Sequence, residues 1–191
     1  KPYKLYKLFL RMEDNQRPFK LGLALSGGGA RGFAHLGVYK AMQELGIKPD
    51  IISGTSAGAI AGVIFASGHS AEEGIDFFKG KKVLDFARPL VSKTGIMHMT
   101  GLEKKLSDFI RVKTFEDLQI PLVVTATNMN LGIPTHFNTG EVVPRVLASC
   151  AIPIVFVPVT INHHQYSDGG VFMNLPVRPI RDLCDVVIGV H

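Results

Sequence analysis

The stretch LGLALSGGGARGFAHLGVYKAMQELGIKPDIISGTSAG, from Leu21 to Gly58, decides the fold of this chain. Its two short apolar runs, Leu21 to Leu25 and Asp50 to Ser53, are typical of buried strands. Between them, Ala30 to Leu45 repeats apolar residues at helical spacing, and Gly46 is a typical helix stop. This order of strand, helix and strand predicts a parallel sheet, because the helix returns the chain to the edge where it started. We therefore expect an α/β protein.

The predicted helix has one apolar face, which we expect to contact the sheet. Residues three or four positions apart lie on the same side of a helix, so their spacing indicates the buried side. The predicted members of this face are Phe33, Leu36, Gly37, Ala41 and Leu45.

A glycine-rich turn, Ser26 to Gly32, lies between the first strand and this helix. Backbone N–H groups at the start of a helix bind negative charge, so the turn is typical of an anion site. Its sequence fits the dinucleotide-binding motif G-x-G-x-x-G. That motif also needs an acidic residue at the end of the second strand, where this chain has the sequence SGTS at residues 53–56. A phosphate-binding P-loop would need a Lys-Ser or Lys-Thr pair after the turn. A simple tight turn without a ligand is a further alternative.

The second motif, Gly54 to Gly58, matches G-x-S-x-G and again lies between a strand and a helix. In that context it is typical of a nucleophile elbow, in which the side chain of Ser56 is exposed at the edge of the sheet. The alternative is a helix N-cap, worth about 1 kcal/mol. Consecutive parallel strands place both turns at one edge, so amide donors and a nucleophile should meet there. This combination favours acyl transfer.

A nucleophilic serine needs a base, and the chain offers a histidine and an aspartate for that role. His191 is the one histidine whose order after Ser56 and Asp168 fits an α/β-hydrolase triad. The serine follows only the second predicted strand, however, which is early for that fold. Asp168, followed by two glycines, is the competing base if burial raises its pKa. The other histidines are expected in packing, surface or hairpin positions, namely His35, His69, His98, His136, His163 and His164.

The rest of the chain supplies further helices and strands around these motifs. The stretch Gly80 to Gly101 shows no clear period, and we interpret it as irregular. One predicted helix follows Ser56 and runs to about Ser67, and the others run from Ala71 to Phe78, Leu102 to Ile110 and Val142 to Ser149. The predicted strands are Leu122 to Ala126, Thr135 to Asn138, a hairpin of Val159 to Ile161 and Gln165 to Tyr166, and a buried strand from Asp185 to His191.

Length and composition indicate one globular domain spanning residues 1–191. The chain has 46% hydrophobic and 19% charged residues and a formal net charge of +5, without a continuous basic stripe, so nucleic acid is not an expected partner. It contains two cysteines, too few for a disulfide framework. No apolar run is long enough to cross a bilayer and no signal peptide is visible, which favours a cytoplasmic protein or one in peripheral contact with a membrane. No feature of the sequence indicates an oligomeric state.

Three motifs together resemble those of the patatin-like phospholipase family. They are Gly27 to Gly32 for the family's glycine-rich oxyanion motif, Gly54 to Gly58 for its nucleophile elbow, and Asp168 to Gly170 for its D-G-[GA] motif. They occur in family order, and the resemblance covers about Leu21 to His191. It implies a three-layer α/β/α sandwich with a mostly parallel central sheet. It also implies that the chain is a fragment of a longer protein, without the family's C-terminal helices.

The resemblance further implies a lipid acyl hydrolase with a Ser-Asp dyad. Ser56 would be the nucleophile and Asp168 the base, without a metal or organic cofactor. The substrate would be an acyl lipid or phospholipid. The residues expected to bind the oxyanion or the substrate are Gly27, Gly28, Gly29, Arg31 and Ala57.

Alternative functions follow from the same motifs. One is a Ser-His-Asp esterase that uses His191, and another is a nucleotide-binding domain that uses the glycine-rich turn. A third is a catalytically silent lipid-binding scaffold. An acyl groove is a possible role for a set of apolar side chains that are equally expected in a core: Phe77, Phe78, Leu84, Phe86, Leu90, Met97 and Met99.

Overall fold

A computed structural model of the chain describes residues 17–79 and 97–191, together with the backbone of residues 88 and 89. Most of the predicted irregular stretch, Gly80 to Gly101, lies outside the described residues. The same holds for Leu84, Phe86 and Leu90, three of the expected acyl-groove residues. Within the described residues, no helix combines the length and apolar character needed to span a bilayer.

The predicted strands and helices occur in the predicted order, whereas the short strands at 88–89 and 97–98 and the short helix at 178–181 were not predicted. The strands are β1 (Phe19–Leu25), β2 (Ile51–Thr55), β3 (Arg88–Pro89), β4 (Met97–His98), β5 (Leu122–Asn128), β6 (Ile133–Phe137), β7 (Val159–Ile161), β8 (His164–Asp168) and β9 (Cys184–Val190). The helices are α1 (Phe33–Glu44), α2 (Ala57–Ala66), α3 (Ala71–Phe78), α4 (Thr100–Ile110), α5 (Val142–Cys150) and α6 (Arg178–Arg181). The described residues also form 3-10 turns at Gly29–Gly32, Phe115–Asp117 and Gly169–Val171.

A seven-stranded mixed sheet forms the centre of the fold. Strands β9, β1, β2 and β5 lie side by side in that order and are parallel to their neighbours. Strands β6 and β8 pair with β5 in the antiparallel direction, and β7 pairs with β8. Strands β3 and β4 form a separate antiparallel pair. The parallel strands and their crossover helices confirm the predicted α/β class.

Strand β5 brings the ends of two distant strands together. Strand β6 pairs with residues 124–128 of β5 and so occupies one edge. Strand β2 pairs with residues 122–125 of β5 and β8 with residues 126–128, so both must bond the opposite edge. Because β2 is parallel and β8 antiparallel to β5, their carboxyl ends point at each other. Thr55 is paired with Thr125, and Asp168 with the next residue, Ala126.

Buried side chains cover both faces of the sheet. Leu23 and Leu25 of β1 contribute to the larger cluster, with α1, α2, α4 and α5. Ala24, between them, points to the smaller cluster with Ile180 of α6. This alternation is expected of a strand buried on both sides, and it gives the predicted helix–sheet–helix layers.

The predicted face of α1 is wrong in part. Phe33 and Leu45 are exposed, whereas His35, Leu36, Tyr39 and Met42 are buried. Burying the large side chains of Tyr39 and Met42 removes more apolar area from water than burying Gly37 and Ala41 would.

Two other predictions of local structure differ in detail. Strand β9 is largely exposed, because among the described strands only β1 pairs with it, and Val186 is 57% exposed. The hairpin between β7 and β8 turns at Asn162 and His163, both with positive φ, which is typical of a tight type I′ turn. His164 therefore lies in β8, not in the turn.

Candidate active site

Ser56 lies on the sharp turn between β2 and α2 in a strained backbone conformation. Its φ is 52° and its ψ is −119°, a combination that side chains disfavour and that glycine tolerates. The residue is 8% exposed. The turn places Ser56 at the N-terminus of α2, where the helix dipole favours negative charge.

The two glycines of this motif allow the helix to approach the sheet closely. A Cβ atom on Gly54 would lie 2.4 Å from the Gly58 carbonyl oxygen, and one on Gly58 would lie 2.2 Å from the Leu25 carbonyl oxygen. Both distances are far below van der Waals contact, so a side chain at either position would push α2 away from β1 and β2. The spacing of the G-x-S-x-G motif therefore has a packing reason in this fold.

Helix α5 holds the backbone of Ser56 from the side. The Ser56 N–H donates to the Ser149 hydroxyl at 2.8 Å, and this hydroxyl donates to the Thr125 carbonyl at 2.6 Å. The Cys150 thiol donates to the Ser56 carbonyl at 3.4 Å. Since Ser149 is fully buried, these bonds connect the strained turn to β5 without competition from water.

Asp168 ends β8 beside Ser56 and is largely buried. Its carboxylate accepts from the Gly170 N–H at 2.7 Å, and its own N–H donates to the Ala151 carbonyl at 2.8 Å. Burial raises the pKa of Asp168, while hydrogen bonding from the Ser56 side chain and the Gly170 amide lowers it by less. The net rise makes this carboxylate a stronger base than an exposed aspartate.

Cys150 lies in the same buried environment as Asp168. Its thiol is buried, and burial raises the pKa of Cys150 well above its ordinary value, with the negative charge of Asp168 adding to the rise. Both Cys150 and Cys184 are free thiols. The thiol of Cys150 therefore stays protonated near neutral pH and can serve as the donor to Ser56.

The glycine-rich turn lies directly beside the serine. A Cβ atom on Gly27 would be 3.3 Å from the Ser56 Cβ, and one on Gly32 would be 2.7 Å from the Ala57 Cβ. The Gly27 N–H donates to the Asn174 carbonyl at 3.0 Å. The first amides of a helical turn lack an internal acceptor, and in this 3-10 turn they belong to Gly29 and Ala30.

The remaining expected residues of this turn differ in position. Gly28 precedes the 3-10 turn, and its carbonyl accepts from the Arg31 N–H at 3.1 Å. The side chain of Arg31 is exposed, and Arg31 does not line the cavity described next.

A narrow, mostly apolar cavity of about 50 Å³ opens between the glycine-rich turn and α5. Both Ser56 and Ala57 line it, so the serine borders a mostly apolar space. Of the expected acyl-groove residues, Phe78 and Met99 line the cavity, whereas Phe77 is buried in the core. The other lining residues are Gly29, Ala30, Gly32, Phe33, Ile60, Leu102, Cys150, Ile152 and Phe156.

His191 lies two strands from the serine, and His35 contacts the glycine-rich turn. His191 is exposed and follows β9, which is separated from β2 by β1, a spacing of about 10 Å. His35 is buried, and its Nε2 bonds the Ser26 carbonyl at 2.8 Å. Burial lowers the pKa of His35, so its ring is neutral near pH 7.

Sequence reasoning missed Ser149, Cys150 and Asn174. Each reaches the site from an element more than ninety residues from Ser56 along the chain, so no local motif connects it with the elbow. A weak signal was present, because Ser149 is a hydroxyl residue among the otherwise apolar buried residues of α5.

Comparisons with known proteins identify relatives across most of the chain. A family model described as patatin-like phospholipase matches residues 23–181. An uncharacterized NTE family protein of Mycobacterium tuberculosis is 32% identical over 95% of this chain. Lysophospholipase nte1 of Aspergillus fumigatus is 33% identical over 89% of it. The chain spans about half (51%) of the mycobacterial protein and 12% of the fungal one.

Solved structures show the same fold. VipD from Legionella pneumophila superposes with a TM-score of 0.61 at 19% identity, over 89% of this chain and 49% of VipD. ExoU from Pseudomonas aeruginosa gives a TM-score of 0.55 at 23% identity, over 75% of this chain and 40% of ExoU.

Proposed function

Because this chain belongs to the patatin-like phospholipase family, we propose that it hydrolyses carboxylic esters of acyl lipids with Ser56 as nucleophile and Asp168 as base. One observation carries the proposal. A largely buried carboxylate with a raised pKa lies beside a serine on a strained strand-to-helix turn. A base of this kind and a nucleophile in hydrogen-bonding contact form the minimal unit for acyl transfer.

The first half of the reaction forms an acyl-enzyme. Asp168 accepts the hydroxyl proton as the Ser56 Oγ attacks the ester carbonyl carbon, and the carbonyl oxygen becomes an oxyanion. The amides of Gly28, just before the 3-10 turn, of Gly29, at its start, and of Ala57, at the start of α2, are the proposed donors to this oxyanion. The bond to the leaving oxygen then breaks, and Asp168 gives its proton to the departing alcohol.

The second half returns the enzyme to its starting state. Asp168 takes a proton from a water molecule while the water oxygen attacks the acyl carbon. The bond from the acyl carbon to the Ser56 Oγ breaks, and the serine regains its proton from Asp168. The apolar cavity lining, which includes Ile60, Leu102 and Phe156, supports an acyl chain as the group bound beside the serine.

A covalent probe tests the proposal directly. A fluorophosphonate reacts with activated serines, so wild type should be labelled and should hydrolyse both lysophosphatidylcholine and a soluble short-chain ester. Ser56→Ala should lose labelling and hydrolysis while remaining folded. The matched control is Ser67→Ala, because Ser67 lies at the other end of α2 and its hydroxyl donates to the local Ile64 carbonyl. Labelling of Ser56→Ala at the wild-type level would overturn the proposal.

A further inference from the structure

The segment that follows α5 forms a turn with an unexpected residue at its tip. The Val155 N–H donates to the Ile152 carbonyl at 3.2 Å, Pro153 takes the second position, and Ile154 takes the third with a φ of 74°. This is a type II turn, whose third position favours glycine or asparagine. A β-branched residue with positive φ is a true outlier, and the local backbone therefore does not explain an isoleucine here.

Packing within the described part of the chain does not explain it either. The Ile154 side chain is 90% exposed, the highest value for any large apolar residue in the described part of the chain. An isoleucine that neither fits its backbone nor buries its side chain loses stability on both counts. Its side chain gains free energy only when something outside the described fold covers it.

The position of the turn indicates where that contact occurs. Ile152, at the start of the turn, is 41% exposed and lines the cavity that contains Ser56. Phe33, at the start of α1, also lines this cavity and is 48% exposed. We call Phe33, Ile152 and Ile154 the apolar rim. Exposed Arg31 lies two residues before Phe33 and adds a positive charge next to it.

We propose that the apolar rim inserts into the surface of a lipid bilayer and brings the cavity to its acyl substrate. This inference rests on the proposed function, because a substrate with long acyl chains resides in such a surface. Three partly exposed side chains fall well short of the roughly 800 Å² that each partner buries in a typical protein interface. Insertion into lipid needs no matching surface, and the net charge of +5 favours an anionic one.

The experiment uses Ile154→Gly, which removes the apolar side chain and the backbone strain together. Binding is measured by co-sedimentation with vesicles of ether-linked phosphatidylcholine and phosphatidylglycerol in equal parts, which an esterase does not cleave. Vesicle affinity should fall about tenfold or more. The Tm should stay or rise by about 2 °C, since glycine suits this position. Hydrolysis of a soluble short-chain ester should not change.

The matched control is Val186→Gly on the exposed side of β9, away from the cavity. It should retain vesicle binding and lose some thermal stability, because glycine weakens a strand. A lower Tm for Ile154→Gly would show that the side chain packs on this chain, and equal vesicle binding would show that lipid does not cover it. A wild-type dimer that dissociates in Ile154→Gly, with vesicle binding unchanged, would assign the rim to a second copy. Each of these three results overturns the proposal. If wild type binds vesicles but hydrolyses no ester, the proposed function is contradicted, whereas the proposed membrane contact of the apolar rim is not.

Discussion

Two residues, Ser56 in the cavity lining and Ile154 in the turn after α5, adopt backbone angles that favour glycine, and they are held there in different ways. Ser56 is 8% exposed with a φ of 52°, and its backbone is bonded by Ser149 and Cys150 from α5. Ile154 is 90% exposed with a φ of 74°, and the hydrogen bond that closes its turn comes from Val155, within the same four residues.

This difference shows which contacts offset the unfavourable backbone conformation of each residue. At Ser56 the compensation comes from contacts between distant parts of the chain, so it depends on the complete fold. At Ile154 the strain stays local and its relief should cost the fold nothing. Strained residues cluster at functional sites. We infer that the first strain orients a reactive side chain and the second presents a contact side chain.

The largest expected effect is the loss of activity when Asp168, the proposed base beside Ser56, is replaced. Asp168→Asn keeps the shape of the side chain but cannot accept a proton, so we expect kcat to fall on the order of 10³-fold or more. The Tm should stay or rise, because a buried charge is removed. Steady-state kinetics and thermal unfolding measure both. His191→Ala is the comparison variant and should retain most activity. Activity in Asp168→Asn with loss in His191→Ala would favour the triad.

A smaller effect is expected when the compensating contacts at Ser56 are weakened. Ser149→Ala leaves the Ser56 N–H and the Thr125 carbonyl without their buried partner. We expect a loss of about 1–3 kcal/mol in the free energy of unfolding and a fall in kcat of roughly tenfold, with KM nearly unchanged. Ser67→Ala, which also loses one hydroxyl hydrogen bond on a helix, should leave kcat intact. A change confined to stability would show that Ser149 has no positioning role.

Substitution of the strained residue itself separates backbone from side-chain effects. At a φ of 52° and ψ of −119°, glycine is favoured over alanine. Ser56→Gly should therefore unfold with a free energy about 1–2 kcal/mol higher than Ser56→Ala, although both are inactive. Denaturant titration of the two variants measures the difference. Equal stability would mean that the Ser56 turn relaxes when its side chain is removed, and the comparison with Ile154 would lose its basis.

The smallest expected effect is a pH dependence that only the buried site should show. The pKa of Asp168 in the folded chain is raised above 3.8, so the folded state binds more protons than the unfolded state in that range. Its stabilising contribution is fully present below pH 3.8 and is lost as the pH rises through the raised pKa. The stability of wild type relative to Asp168→Asn should fall across this window, while kcat/KM rises as the base ionises. Ile154→Gly should follow wild type. A flat difference would contradict the assigned burial effect.

Much of the fold could be predicted because its decisive patterns are local. The strand, helix and elbow around Ser56 depend on residues within one βαβ unit, and α3 was predicted at its observed bounds, Ala71–Phe78. Parallel strands also place their carboxyl ends at one edge by geometry alone. The nearness of the glycine-rich turn and the elbow therefore followed from chain order.

Other features could not be predicted because distant contacts decide them. The buried face of α1 depends on which of two apolar stripes meets the sheet. Tyr39, on the buried stripe, stacks on Phe65 with ring centroids 3.8 Å apart. The bonds from Ser149 need the packing of α5 against β5. Ile154 lies in an apolar segment that is typical of a core, so its exposure is visible only once the turn is formed.

Strand β5 bonds both β2 and β8 along one edge, so hydrogen-bond register sets the separation of Ser56 and Asp168. The covalent path between these two residues is free to change without moving them. Two coexpressed fragments, divided in the exposed loop at residues 129–132, would each carry one member of the pair and should reassemble through the sheet. For the same reason, insertions at that loop should be tolerated better than a single residue added within β5, which would shift one member against the other.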